Sequence, residues 1–236
     1  PTNAALLEAF NISLGGEFTI TFTVTATATT GETSSDSINI VLTNDKTGYL
    51  YVATSGATEA ITKLVQFEKG KLRGFVQTAE ATNVKLYVNN DLTGTAYGVK
   101  GGNLSSEADA TAIALTAGLH YVQVNLDEAK MVDVELTSIG LIGEAVGGWD
   151  DASEAKAMFT FDATKGVWTA VVENVVAEKE YKVRFNKMWD VVDAEGNGYN
   201  ISLGGEANNL VMGGSNLKAG FNGKVTFTLN LFDAPY

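Results

Sequence analysis

The feature that most constrains how this chain can fold is a repeat of β-type runs. From Gly48 onward the runs Gly48–Val52, Leu72–Val76, Val84–Asn89, Tyr97–Gly98 and Ala117–Leu126 follow one another, and from Ile139 onward they have counterparts. The counterparts are Ile139–Gly143, Val167–Val172, Tyr181–Asn186, Tyr199–Asn200 and Ala219–Leu231. A pattern that recurs as a block is the mark of a duplicated structural unit, and each unit here is built of strands. Two modules follow, residues 46–137 and 138–236, joined at Leu136-Thr137-Ser138. A join that short predicts that the second module abuts the first and does not swing on a linker. Turn composition agrees, because 25 glycines stand against 2 prolines at the chain ends, leaving Gly, Asn and Asp to make the hairpin turns.

Upstream of the repeat, residues 1–45 begin with a helix-compatible stretch, Asn3–Phe10. Two alternating runs follow, Glu17–Thr25 and Ser37–Thr43, separated by the turn-rich Thr30–Asp36. Two or three strands are too few for an independent sandwich. This segment reads as the back half of an immunoglobulin-type sandwich, the alternative being strands that pack on the next module. The fold class expected for the whole chain is all-β, with tandem antiparallel β-sandwich modules of immunoglobulin-like type.

Charge narrows the function classes. Sixteen Lys and Arg against 28 Asp and Glu give a formal net charge of -12, which argues against a binder of nucleic-acid backbone and against adhesion to anionic lipid. Cysteine is absent, which removes disulfides, thiolate metal sites and cysteine nucleophiles. No apolar run approaches the roughly 20 residues of a membrane span, and Pro1 opens no secretory signal. The chain is then either cytosolic or a processed piece of an exported protein.

One strand carries unusual side chains. In Tyr181–Trp189 the period-two rule puts Tyr181, Val183 and Phe185 on one face and Lys182, Arg184 and Asn186 on the other, with Trp189 close behind. The apolar set reads as core. Two cations, an amide and an aromatic ring are the groups that a hydroxyl-rich, uncharged ligand such as a glycan requires. The ring covers the C–H face of a sugar and the polar groups take its hydroxyls.

Further residues carry a resemblance to a family. They are Ile139–Gly143 with Gly147-Gly148-Trp149-Asp150, Gly166-Val167-Trp168, Tyr181–Asn186 with Trp189, Gly198–Gly205 and Leu229-Asn230-Leu231. In these the chain resembles the SusE/SusF outer-membrane lipoproteins of bacterial starch-utilisation systems. Ser34–Thr43 is similar to the last strand of that family's N-terminal immunoglobulin-like domain, and Thr137–Gly140 to its inter-module joint. The resemblance implies non-catalytic carbohydrate-binding sandwiches that hold α-glucan on paired aromatics. It implies no cofactor, a polysaccharide or oligosaccharide ligand, and an outer-membrane glycan-import complex as partner. It also implies surface display by a lipid anchor, the only membrane contact expected, outside this chain.

Carried over by position, the resemblance implies a carbohydrate site of Trp149, Trp189, Arg184, Asn186, Lys182 and Tyr199. The alternative for each tryptophan is a packed core residue; Trp168, inside an alternating strand, is assigned to packing. For Arg184 the alternative is a surface ion pair. In residues 46–137 the matching strand keeps Lys85 and Asn89 but has Tyr87 where Arg184 stands, and neither flanking loop holds a tryptophan. A weak second site of Tyr87, Lys85, Asn89 and Tyr97 is the most this module offers, and otherwise it is a spacer.

Other constellations weigh less. Asp193–Gly198 echoes a calcium loop but lacks the terminal bidentate Glu. Asp150, Asp151 and Glu173 supply carboxylates of the kind a glycosidase pairs, yet adjacent acids in so acidic a chain are more often a solvated turn or helix cap. His120 is the one histidine and lies away from the proposed site, which disfavours a Ser-His-Asp triad or a multi-histidine metal centre there. The function expected is non-catalytic glycan binding, with starch or malto-oligosaccharide as ligand. A structural or adhesive β-sandwich with buried tryptophans is the alternative.

Overall fold

The computed structural model describes residues 17–27, 29–43, 48–192 and 198–232. The stretches Asn3–Phe10 and Asp193–Asn197 therefore lie outside the described residues. The chain divides into two compact units, Pro1–Gly48 and Tyr49–Tyr236, and the described elements are almost all antiparallel strands. The all-β expectation holds.

In the first unit β1 (Glu17–Thr27) and β2 (Thr33–Thr43) form one antiparallel hairpin, with Phe22 opposite Ile38 and Thr23 opposite Ser37. Its threonine face is tied across the strands by Thr21 Oγ1 donating to Asn39 Oδ1 at 2.8 Å.

The second unit begins with a nine-stranded sheet. Its strands are β3 (Tyr49–Thr54), β4 (Thr62–Glu68), β5 (Lys71–Thr78), β6 (Thr82–Tyr87), β7 (Ala96–Lys100), β8 (Asn103–Ser105), β9 (Ile113–Leu115), β10 (Gly118–Asn125) and β11 (Lys130–Leu136). The order is β11-β10-β5-β4-β3-β6-β7-β8, with β9 beside β6. Leu50, Val52, Leu64, Leu72, Val76, Val84, Leu86, Leu104, Ile113, Val122 and Val124 come together in one core. Both layers of this core belong to a single sheet that curls over itself. Its ends meet where the Leu104 N–H donates to the Ala129 carbonyl at 2.8 Å.

The remainder is a sandwich. One layer holds β12 (Ile139–Ile142), β15 (Glu180–Phe185), β18 (Leu203–Glu206) and β19 (Asn209–Met212), with β20 (Leu217–Lys218) beside β15. The other holds β13 (Thr160–Asp162), β14 (Val167–Val175) and β21 (Gly223–Leu229). Outside both, β16 (Asp190–Val192) pairs with β17 (Gly198–Asn200), and the short helix α1 (Asp151–Glu154) follows β12. Tyr181, Val183 and Phe185 point into the core, as the alternation of β15 predicts, and Tyr181 meets Phe227 of the opposite layer edge-on at 5.5 Å.

The sandwich packs on the outer face of β5, β10 and β11. Phe75, Leu119, Tyr121 and Leu136 belong to its core, and the Phe75 and Phe185 rings lie 5.3 Å apart. Strands β5 and β10 are thus buried on both faces, which explains the unbroken burial of Leu119–Val124.

Candidate functional site

The site is built on the outward face of β15 and on the loop that follows β12. That loop closes on itself: Gly143 and Gly148 exchange both backbone hydrogen bonds, at 2.8 and 2.9 Å. Gly143 is required here, with φ 139° and the Glu180 carbonyl where a Cβ would stand. Trp149 comes next. Asp150 then caps α1, its Oδ1 accepting from the Ala152 and Ser153 N–H groups at 3.0 and 2.9 Å and its Oδ2 from Ser153 Oγ at 2.9 Å. These hydrogen bonds, Ser153's foremost, hold the Asp150 carboxyl below the usual carboxylate range. Trp149 is thereby clamped between a closed loop and a capped helix.

The helix delivers two carboxylates to Arg184. Asp151 Oδ1 accepts from Nη2 at 2.5 Å, and Glu154 Oε2 accepts from both Nη2 and Nε. Glu154 is completely buried and Arg184 is 6% exposed. Room for Glu154 exists because Gly140 lies directly across from Arg184 in the β12–β15 ladder; any Cβ at Gly140 would collide with the Glu154 side chain. Burial alone opposes the Arg184 charge, but the hydrogen bonds and charges of Glu154 and Asp151 outweigh it and raise the guanidinium above its ordinary pKa.

On this base stand two rings. Trp149 and Trp189 have centroids 6.3 Å apart and planes inclined by 41°, and they are 41% and 37% exposed. Arg184 Cζ lies 5.2 Å and Lys182 Nζ 5.9 Å from the Trp189 centroid, both within cation–π range. Lys182 Nζ donates to Ser202 Oγ at 3.2 Å, which in turn donates to Asn200 Oδ1 at 2.7 Å. Burial lowers the Lys182 pKa. The arrangement offers a hydroxyl-bearing ligand an angled pair of aromatic faces beside an ammonium, over a guanidinium already paired with two carboxylates.

Of the residues the sequence assigned to this site, Trp149, Trp189, Lys182 and Arg184 come together, and two do not join them. Asn186 lies past the end of β15 at φ 51°, where period-two alternation has stopped. Its Oδ1 accepts from the Thr137 and Ser138 N–H groups at 2.8 and 3.2 Å, and its Nδ2 donates to the Glu135 carbonyl at 2.8 Å. Asn186 therefore fastens the joint before β12. Tyr199, opposite Val191 in the β16–β17 pair, is half-buried and packed against the core. Trp168 packs against the same core and lies 5.0 Å from Phe161, as its alternating context predicts.

The four side chains expected to make a weak second site do not converge either. Tyr97 is paired with Leu86 and packs on the inner core, while Tyr87 is paired with Tyr51 on the outer face of the same sheet. Asn89 is occupied in a turn, donating to the Thr93 carbonyl at 3.2 Å.

Sequence reasoning missed Glu154, Gly140 and Ser202. The Asp150–Ser153 spacing announces a helix cap, and a helix beside β15 implies that an acid on its first turn can face Arg184. The acids weighed as a hydrolytic pair have other tasks: Asp150 caps, Asp151 binds Arg184, and Glu173 meets Lys224 at 2.8 Å. Among the described residues no group of three His, Asp or Glu side chains is placed to hold a metal, and no helix is long and apolar enough to cross a membrane.

No protein-family model matches the chain, and no curated protein does. A solved structure, SusF from Bacteroides thetaiotaomicron, aligns with 97% of this chain at 14% identity and a TM-score of 0.32. The chain spans 61% of that structure's length, and a similarity this low identifies neither a shared fold nor a shared ligand.

Proposed function

We propose that residues 138–236 form a non-catalytic carbohydrate-binding module whose ligand is an α-glucan of the starch or malto-oligosaccharide type. The observation that carries this reading is the half-exposed Trp149–Trp189 pair, 6.3 Å apart and inclined by 41°, beside Lys182 and Arg184. A curved α-glucan turns successive sugar faces through an angle, so an inclined pair of rings fits it, whereas a flat β-glucan calls for coplanar rings. Charge supports a neutral ligand: the two cations of the site, Lys182 and Arg184, stand with two carboxylates, Asp151 and Glu154, both paired with Arg184. Tryptophans at this exposure also weigh against the structural or adhesive alternative, which needs both rings buried.

The sequence resemblance to SusE/SusF lipoproteins extends the proposal to display on the outer-membrane surface by a lipid anchor and to delivery of glycan to an import complex. Titration calorimetry of the full chain with malto-oligosaccharides tests the reading, with Trp149→Ala and Trp189→Ala beside it. Absence of heat with the wild-type chain, or tryptophan variants that bind as the parent does, would overturn it.

A further inference from the structure

The outer face of the curled sheet carries a second aromatic cluster, in which Tyr87 and Lys85 of the expected weak second site join Tyr49, Tyr51 and Lys63, which the sequence did not single out. In register, Lys63 of β4, Tyr51 of β3 and Tyr87 of β6 form one cross-strand row, so all three side chains leave the same face within about 10 Å. Tyr49, two residues from Tyr51 on β3, shares this face, with its ring 6.2 Å from that of Tyr51 and inclined by 51°. The Lys63 ammonium sits 4.5 Å from the Tyr49 ring centroid, and Tyr49 is 41% exposed. Lys85, two residues before Tyr87, projects from the same face.

This cluster occupies the place that Arg184 holds in the sandwich, by a different construction. The repeat aligns Tyr87 with Arg184, and the partner across the ladder is Tyr51 here and Gly140 there. Gly140 leaves space for Glu154 and its helix; the β3–β4 loop carries no helix, and a tyrosine fills the corresponding space. The electrostatic outcome is opposite. Arg184 is compensated by two carboxylates, whereas neither Lys63 nor Lys85 has a carboxylate at ion-pair distance among the described residues. Both lysines are partly shielded by the sheet surface, and local positive charge beside aromatic rings stands out on a chain of formal net charge -12.

We propose that the Tyr49–Tyr51–Tyr87 face, with Lys63 and Lys85, binds an acidic polysaccharide segment. The rings cover the C–H faces of successive sugars, and the two ammonium groups pair with uronate carboxylates. Nothing in this assignment depends on the Trp149–Trp189 reading, and the two sites differ in formal charge: there two cations, Lys182 and Arg184, stand with two carboxylates, whereas here two cations stand with none.

The test is titration of the full chain with oligogalacturonate and oligomannuronate, and with the methyl ester of each as its neutral counterpart. Binding of an acid form is expected, and it is lost on esterification. It weakens as salt rises from about 0.01 M to about 0.15 M, which shortens the screening length from roughly 30 to roughly 8 Å. Lys63→Met with Lys85→Met keeps the apolar stems and lowers affinity by on the order of tenfold. Tyr49→Ala, at an exposed position, lowers it too, and Trp149→Ala with Trp189→Ala leaves it unchanged. Failure of both acids to bind, equal binding of the esters, or lysine variants with parental affinity would each overturn the proposal.

Discussion

The Arg184 guanidinium lies 5.2 Å from the centroid of the Trp189 ring and is held there by carboxylates from the helix that directly follows Trp149. One cation thus fixes both tryptophans, one by stacking and the other through the helix. The arrangement rests on Glu154, whose Oε2 is bonded to Arg184 and whose Oε1 has no partner among the described residues. Removing one member of a buried pair leaves the other charge uncompensated, which costs about 3–5 kcal/mol. Asp151 still offsets part of that in Glu154→Ala, so the expected loss is about 3 kcal/mol in urea unfolding. Gly140→Ala, which pushes a methyl group into Glu154, destabilises in the same direction.

Truncating the rings tests function with little effect on the fold. Each stacked ring contributes on the order of 1–3 kcal/mol in the comparable case of nucleobases. Trp149→Ala and Trp189→Ala are therefore each expected to weaken malto-oligosaccharide binding by roughly tenfold to a hundredfold in calorimetry. Because both rings are more than a third exposed, unfolding midpoints shift little compared with Glu154→Ala. A ring whose loss lowers stability and leaves affinity intact belongs to the core and not to the site.

The alternation of β15 made its inward face legible: Tyr181, Val183 and Phe185 could be read as core from period two alone. The same rule overreached at Asn186, because the strand ends at Phe185 and a positive φ turns the next side chain toward the joint. It was equally silent about Arg184, whose burial depends on a helix from a distant loop. Tyr97 and Tyr87 look alike in sequence, and only the ladder register, Leu86 opposite Tyr97, puts them on opposite faces. Strand β10 shows the limit most clearly. Residues buried on both faces erase alternation, so Tyr121 and Phe75 gave no sign in sequence that the sandwich covers them.

Asn186 separates a joint role from a ligand role. Its amide makes hydrogen bonds to Thr137, Ser138 and Glu135, and its φ of 51° is one that asparagine tolerates better than most residues. Asn186→Ala removes those bonds and keeps an unfavourable backbone conformation, so a loss of about 2–3 kcal/mol is expected in denaturant unfolding. Asn186→Gly relieves the backbone part and should be less damaging. Neither variant is expected to change glycan affinity measured on the folded fraction. A selective loss of affinity in Asn186→Ala would return the residue to the site.

Tyr121 makes the packing between the curled sheet and the sandwich sensitive to alkali. Burial is the leading cause that pushes its phenol up to about 12, against a partial lowering by Arg73, and its hydroxyl donates to Gln123 Oε1 at 2.7 Å. A folded-state pKa above the unfolded value of 10.0 means that the native state favours the neutral phenol. Its contribution is fully present below pH 10 and is lost progressively as pH rises toward 12. Unfolding midpoints measured across that interval should fall with pH. Tyr121→Phe lowers stability at neutral pH, because Gln123 loses its donor, but flattens the alkaline decline. An unchanged alkaline slope in Tyr121→Phe would assign the decline to other groups.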